Sequence, residues 1–537
     1  MSGKPIDVSN RKQLFIDERF IAASENVHLT ANQPVLAGCH AHGLAMSMSA
    51  QSLSAAKHGH ASVAMAPTSV AIEPGVAGDC DDGSAGSGGR VFQDGGIFRC
   101  YFNCRSAEMM AGKFDEGGDA MMPLGYAEST DGVHWVKPKL GLHDWKGSKA
   151  NHLTCLDWGD VMIDPHAVPE ARYKLLCCAY SQIGAKNIFD ALDLHKGGVY
   201  FYTSPDGLRW TWQPRRVLPL YPDSQNQVDY DERLGKYVAY IRTWPRGFFR
   251  AGMTYGRAIG RIELDDPMQP WPHQPADPEF KPWGKERIAG VSTEVPTVLA
   301  YPGYTDDGHW TDIYNPAVVR YPWAEEAYLA FPSLNHYVHD SKIPNHSTLE
   351  IGMAVSRDGI AWNWPSTEAY IPFGPAGSGR SGMLYMHVGL IRAGDEIYQY
   401  HFGTDIQHHG QVGKVYGLEG CRNSGRVYRT VQRLDGFVSA DFPAGGGALT
   451  TPAMRTAGRE LRLNVNASGG ALAVAIQDES GRPLRGLGID DCYAVTANSV
   501  DSAVSWRGST DLASITSQPI RLCFHGQATK LFAFQFR

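Results

Sequence analysis

Apolar and polar positions alternate along the chain in many short runs, and helical periodicity is nearly absent, so the elements it predicts are strands. A strand carrying an aromatic after a turn recurs as Gly96–Tyr101, Ala171–Leu175, Gly235–Tyr240, Glu326–Phe331 and Asp395–Tyr400. A second marker, Ser-x-Asp-Gly-x-x-Trp, follows each copy. It is clear at Ser129–Trp135, Ser204–Trp210 and Ser356–Trp362, and weaker at Leu264–Trp271 and Arg433–Phe437. The aromatics Phe98, Tyr173, Tyr237, Tyr328 and Tyr398 lie 75, 64, 91 and 70 residues apart. The aspartates Asp131, Asp206, Asp265, Asp358 and Asp435 lie 75, 59, 93 and 77 apart. Independent hairpins would not drift together in this way, so the pattern predicts five copies of one unit.

Each unit reads as an apolar strand, a turn, the aromatic strand, and a strand that ends in Asp-Gly before a Trp. Asp-Gly supplies the positive φ of a hairpin turn, and the Trp is expected to pack between units. Short-stranded units of this kind predict the blades of a five-bladed β-propeller over residues 1–434, with an N-terminal closing segment. Residues 39–90 are rich in Ala, Ser, Gly and His, including His40, His42, His58 and His60. They read as an insertion in blade one rather than a metal-binding lid. The texture changes near Asp435. Leu461–Asn466, Ala471–Ile476, the turn Asp478–Pro483 and the final Leu531–Phe536 predict a C-terminal β-sandwich over 435–537. The predicted fold class is all-β.

Composition narrows the class without changing it. The 59 Gly, 32 Pro and 24 Tyr suit tight turns and pleated faces. The formal net charge of −7 is spread along the chain with no Lys/Arg-rich block, which argues against a nucleic-acid partner. No apolar run is long enough for a membrane-spanning helix, and no signal-type segment follows Met1. The expected compartment is the cytoplasm, or a secreted or periplasmic one if a leader was removed; a homo-oligomer is left open. Ten cysteines are too sparse for a disulfide framework and read as buried free thiols. Cys100 and Cys104 can share a strand face, but no second pair follows at a zinc-type spacing, so neither a structural zinc nor a cofactor is expected.

Candidate chemistry lies where the inner strands of a propeller converge, just before the aromatic strands. These entries hold Asp157–Met162, Asp223–Asn226, Asp312–Pro316 and Arg380–Tyr385, with Asp79, Asp81 and Asp82 ahead of Arg90. Convergent carboxylates are what glycoside hydrolysis requires, one as a protonated acid and one as an ionised base or nucleophile. Asp223 and Asp312 lead, because Asn226, Tyr314 and Asn315 follow them; Asp160 and the long-armed Glu294 come next. Any one of these aspartates also serves as a turn cap. Arg242, Arg257, Arg380 and His336 complete the expected substrate contacts, although outer ion pairs are a common fate of such arginines. For any one of His336, His387 and His401, a satisfied core histidine is the favoured account.

The repeats resemble the five-bladed propeller glycosidases, namely the invertase- and levanase-like enzymes and the arabinanase and xylosidase group. Gln13–Glu18, Asp223–Asn226, Asp312–Asn315, Val355–Gly359 and Arg433–Phe437 are more closely similar to a large bacterial glycosyl-hydrolase-like family. The resemblance implies a glycosidase with a carbohydrate substrate. The invertase signature Asn-Asp-Pro-Asn-Gly and its Glu-Cys pair are absent, and Asp164-Pro165 lies in a turn, so the resemblance transfers no catalytic residue. The leading expectation is an exo-acting glycosidase. A polysaccharide lyase with Tyr314 or His336 as base and Arg242 neutralising a uronate, or a non-catalytic sugar-binding propeller, are the alternatives.

Overall fold

The computed structural model describes residues 4–37, 69–112, 122–179, 182, 197–220, 222, 223, 225–243, 246–250, 253–275, 293–301, 310–338, 341–343, 346–408, 412–516 and 518–537, the side chains of 246–250, 253–255, 275, 293 and 294 excepted. Among them the chain is nearly all strand, with short α-helices only at Ala107–Met110 and Val412–Cys421. None is long and apolar enough to cross a membrane.

The second repeat is an antiparallel meander of Gly159–Ile163, Tyr173–Cys177, Val199–Ser204 and Thr211–Leu218. The third is Gln227–Asp231, Lys236–Thr243, Ala258–Leu264 and Thr297–Leu299. The fourth is Val318–Arg320, Tyr328–Ala330, Ala354–Ser356 and Trp362–Asn363. The first repeat has Ser84–Asp94, Ile97–Arg105, Leu124–Ser129 and Leu153–Cys155. The last has Met383–Met386, Glu396–Thr404 and Gly425–Arg433. Its edge is supplied from far upstream by Val35–Leu36 and Val70–Ile72, which both pair with Gly425–Arg433.

The sequence markers recur as one structure. In each clear copy the glycine, Gly132, Gly207 or Gly359, has a φ of +70°, +76° or +73°. The Ser hydroxyl of each copy accepts from that glycine's N–H at 2.9 Å, and the Asp carboxylate accepts from the next two amides. A tyrosine of another repeat approaches each turn glycine: Tyr101 at Gly207, Tyr240 at Gly359 and Tyr400 at Gly132. A second series ties neighbours at the turns between the first two strands, where Tyr173, Tyr237 and Tyr328 donate to Asp94, Asp164 and Asp231. Trp135 packs edge-on against Tyr400, and Trp271 packs near Phe201, as the markers predict.

The weak marker Arg433–Phe437 differs. Asp435, at φ +60°, accepts from Lys12, Tyr321 and Asn464 and so forms a joint to the C-terminal sheets rather than a repeat turn. One of those sheets runs His28–Ala31, Val438–Phe442, Thr529–Phe536, Leu461–Asn466 and Asn498–Ala503; the other runs Ala23–Glu25, Gly447–Thr450, Arg521–Gln527 and Ala471–Gln477. Phe15, Phe20, Leu449, Leu463, Val474, Phe524 and Phe534 from both sheets and the N-terminal segment share one buried core. Each such side chain contributes about 1.5–3 kcal/mol on burial.

Residues 6–31, expected with the first domain, supply strands to the C-terminal sheets, because an edge strand is held by backbone pairing that no local pattern announces. The insertion placed at 39–90 stops short of 69, since Val70–Ile72 and Ser84–Asp94 are paired strands. His40, His42, His58 and His60 lie outside the described residues.

Candidate functional site

The first strands of the first three repeats meet around Arg90. Its guanidinium binds Asp160 through two hydrogen bonds, of 2.9 and 2.6 Å, and Asp229 through two more, of 2.6 and 2.9 Å. Asp160 is buried, whereas the Asp229 side chain is 43% exposed. Burial pushes the Asp160 carboxyl up to about 6 against the pull of Arg90. Burial also opposes the charge on Arg90, but the two carboxylates raise it above the usual range, so the pair is ionised at neutral pH. Asp160 is thus a partner of a buried cation, a fate that residue spacing does not reveal. Asp229 escaped the sequence reading because it lies within a strand and not at its entry.

Beyond Arg90 the lining is neutral and polar. Gln225 donates to the Gly89 carbonyl at 2.9 Å and accepts from Asn315 at 3.2 Å. The Oδ1 atoms of Asn103, Asn315 and Asn335 are buried without a hydrogen-bond partner among the described residues. Buried unpaired acceptors are costly and mark a place where water or a polar ligand is expected. Gly88 keeps this lining close-packed, since a Cβ there would lie 2.9 Å from Asn103 Nδ2.

Next to it sits a stack of charge and aromatic surface. Arg242 lies 4.3 Å over the Tyr314 ring, and Arg257 lies 5.1 Å from the same ring. Arg242 binds Asp223 at 2.5 Å and donates to the Tyr314 carbonyl. Asn226 joins them, accepting from the Arg242 amide at 2.8 Å and donating to the Asp223 carbonyl at 2.9 Å. On the other side Asp312 accepts from the Arg257 amide at 3.0 Å, from Asn335 at 3.0 Å and from Tyr337 at 3.2 Å, and pairs with the Arg257 guanidinium at 3.4 Å. His408 reaches the Tyr314 hydroxyl at 3.2 Å.

The two leading aspartates therefore belong to one constellation and differ in setting. The Asp223 side chain is 16% exposed, and its backbone is held at φ +57°, a conformation disfavoured for a non-glycine residue. Asp312 is 2% exposed and saturated with donors. Trp158, Cys178 and Asn226 line a shallow concavity alongside, and Tyr202 donates to the buried Asp157.

The remaining candidates are dispersed. His336 is held between Thr311 at 2.8 Å and Glu350 at 3.1 Å on the hairpin Ser333–Tyr337/Ser347–Ile351. Arg380 lies 5.6 Å from the Tyr428 ring in the last repeat. The Glu294 side chain lies outside the described residues; its backbone pairs with Gln274. His387 is a satisfied core histidine, with Nε2 2.9 Å from the Gly86 carbonyl. His401 departs from that expectation, since it is buried against Tyr428 with neither ring nitrogen hydrogen-bonded among the described residues.

The cysteines hold one surprise. The nine described are free, as expected, and eight are buried. Yet Cys80, Cys104 and His152 bring their donor atoms within 4.8 Å of one another. Sequence spacing missed this group because its members are 24 and 48 residues apart, on three separate segments.

No protein-family model and no curated protein sequence matches the chain. Among solved structures it is similar to an N-acetylgalactosamine deacetylase from F. plautii in complex with blood group B trisaccharide, at 12% identity and a TM-score of 0.43, over 69% of this chain and 95% of that one. It is also similar to a thermostable family-43 glycoside hydrolase, at 14% identity and a TM-score of 0.36, over 70% and 93% of the two chains. A third is an exo-β-1,3-galactanase from Phanerochaete chrysosporium with β-1,3-galactotriose, at 11% identity and a TM-score of 0.33, over 87% and 100%. Identities this low do not reach individual side chains, and the site stands on the residues of this chain alone.

Proposed function

We propose that the repeated sheets are the blades of a five-bladed β-propeller, that residues 435–537 form a β-sandwich completed by residues 6–31, and that the protein is an exo-acting glycoside hydrolase with its site at the propeller axis. The observation that carries the reading is the meeting of Asp223 and Asp312, from different repeats, on one Arg242–Tyr314–Arg257 stack. An aromatic face flanked by fixed charges and by the amides of Gln225, Asn226 and Asn315 matches the amphipathic surface of a sugar ring.

Within that reading the aspartates divide the work. Asp223, partly exposed and bound to Arg242, meets the substrate as the ionised carboxylate. Asp312, closed off by its donors, positions Arg257 and Tyr337. The second reacting carboxyl falls to Asp229, with Asp160, paired to Arg90, as a positioning residue. Two arginines on one ring favour a substrate bearing an anionic group.

The same arginines support a second reading, a polysaccharide lyase in which Tyr314 gives its hydroxyl proton to His408 and as phenolate takes the proton α to the uronate carboxylate while the C–O bond to the leaving sugar breaks, with Arg242 and Arg257 neutralising the uronate. Incubation with neutral and uronate-containing oligosaccharides separates the two. Reducing ends without ultraviolet-absorbing unsaturated product support hydrolysis, and unsaturated product supports elimination. Binding without turnover across the panel overturns both in favour of a sugar-binding module.

A further inference from the structure

We propose that Cys80, Cys104 and His152 hold a structural zinc ion that staples together the first repeat, with Asp81 beside it. His152 Nε2 is 3.5 Å from Cys104 Sγ, 3.8 Å from Cys80 Sγ and 3.5 Å from Asp81 Oδ2. Zinc bonds of ~2.0–2.3 Å in a tetrahedron set ligand atoms roughly 3.3–3.8 Å apart, so the two separations between His152 and the thiols match those of zinc-bound donors. Two thiolates and an imidazole are also donors zinc prefers.

Two further observations point to a ligand. Asp81 is wholly buried, and its Oδ1 has no hydrogen-bond partner among the described residues. The buried carboxylate, whose Oδ2 faces His152 and Lys137, carries a charge whose burial a cation nearby makes less costly. Gly125, on the neighbouring strand, leaves the space open: a Cβ there would lie 2.5 Å from Cys104 Sγ and 3.0 Å from His152 Cδ2. Charge also closes. Two thiolates and one carboxylate are matched by a divalent cation and by Lys137, whose ammonium lies 2.7 Å from Asp81 Oδ2.

The position explains a need. Asp81 and Cys80 precede the first strand of the repeat, Cys104 ends its second, and His152 leads into the last, Leu153–Cys155. That last strand pairs through only Leu153↔Gly125 and Cys155↔Leu124, with a shift in register between them. A metal joining all three segments supplies the cohesion its short ladder lacks. Every ligand is buried, which fits a closed structural site and not an open catalytic one.

The test uses the untagged full-length protein, purified under reducing conditions, with zinc measured by elemental analysis. After chelation, zinc and cobalt(II) are added back separately. Stoichiometric zinc, a thiolate-to-cobalt charge-transfer band and a tetrahedral visible spectrum are expected. Cys80→Ser should abolish the charge-transfer band or weaken it severalfold, while Cys155→Ser, which removes a buried thiol outside the group, should leave it unchanged. Parent protein that is folded, carries no zinc and takes up no cobalt overturns the proposal, as does a Cys80–Cys104 disulfide found by mass spectrometry in the native protein. The parent titration keeps its force even if the Cys80 variant fails to fold.

Discussion

Tyr400, in the last repeat, donates its hydroxyl to the Gly132 carbonyl of the first at 2.5 Å. Tyr240 makes the same contact with Gly359, at 3.1 Å, between consecutive repeats. The chain-distant pair thus repeats a contact between neighbours, which is what closure of the repeats into a ring requires. Tyr400→Phe leaves a buried carbonyl unpaired and should destabilise the protein by about 1–2 kcal/mol. Gly132→Ala should cost at least as much, since its φ is +70° and a Cβ would lie 3.0 Å from the Tyr400 hydroxyl. Urea unfolding followed by tryptophan fluorescence reads both, and unchanged midpoints would contradict the closure.

Asp223→Asn and Asp312→Asn should fail in different ways. The first keeps the fold and lowers turnover on any cleaved substrate by about a hundredfold or more, because the amide cannot ionise. The second leaves the buried Arg257 without its counter-charge and should lower stability by about 3 kcal/mol. Thermal melts run beside the activity assay separate the two, and equal melting temperatures for both variants would refute the division of roles.

Tyr314→Phe distinguishes hydrolysis from elimination. Under hydrolysis the ring still stacks on Arg242 and Arg257, and turnover falls less than about tenfold. Under elimination the proton acceptor is gone, and turnover falls by about a hundredfold or more, with the KM little changed. Steady-state kinetics on the substrate identified in the oligosaccharide panel decide it.

Stability should decline as the pH falls from 6.5 toward 4, and His387 is one cause. Burial holds its imidazole down to about 4, against the hydrogen bond to the Gly86 carbonyl, which pulls it up. The unfolded chain therefore takes up a proton that the folded one refuses. The stabilisation is complete above 6.5 and is lost on acidification, by about 3 kcal/mol at 1.36 kcal/mol per unit. Its neighbour Cys100, whose Sγ is 3.8 Å from Nδ1, has its thiol pushed up by burial and stays neutral throughout. His387→Gln should flatten the slope of unfolding free energy against pH in this interval; an unaltered slope would place the titration elsewhere.

The repeats were legible because their markers are local. A Ser hydroxyl caps the amide three residues on, Asp-Gly makes the turn and the aromatic fills the adjacent face, so Ser129–Trp135, Ser204–Trp210 and Ser356–Trp362 announce themselves within seven residues. The C-terminal strands were legible for the same reason, since Leu461, Leu463 and Val465 alternate with the polar residues Arg462, Asn464 and Asn466.

What joins distant segments was decided only in three dimensions. The strands at 23–31 pair with strands beyond 438, and Val35–Leu36 completes an edge near 430, through backbone hydrogen bonds indifferent to side-chain identity. Arg90 draws Asp160 and Asp229 together from 70 and 139 residues away, which turned one expected acid into a buried ion-pair partner. Asp312 is closed off because Arg257, Asn335 and Tyr337 converge on it. Cys80, Cys104 and His152 form a ligand set with no spacing motif at all. Sequence by itself determined the elements, whose physics acts over a few residues; tertiary structure decided the partners of each charged or thiol side chain, because burial and neighbours, not residue type, fix whether such a group is free to react.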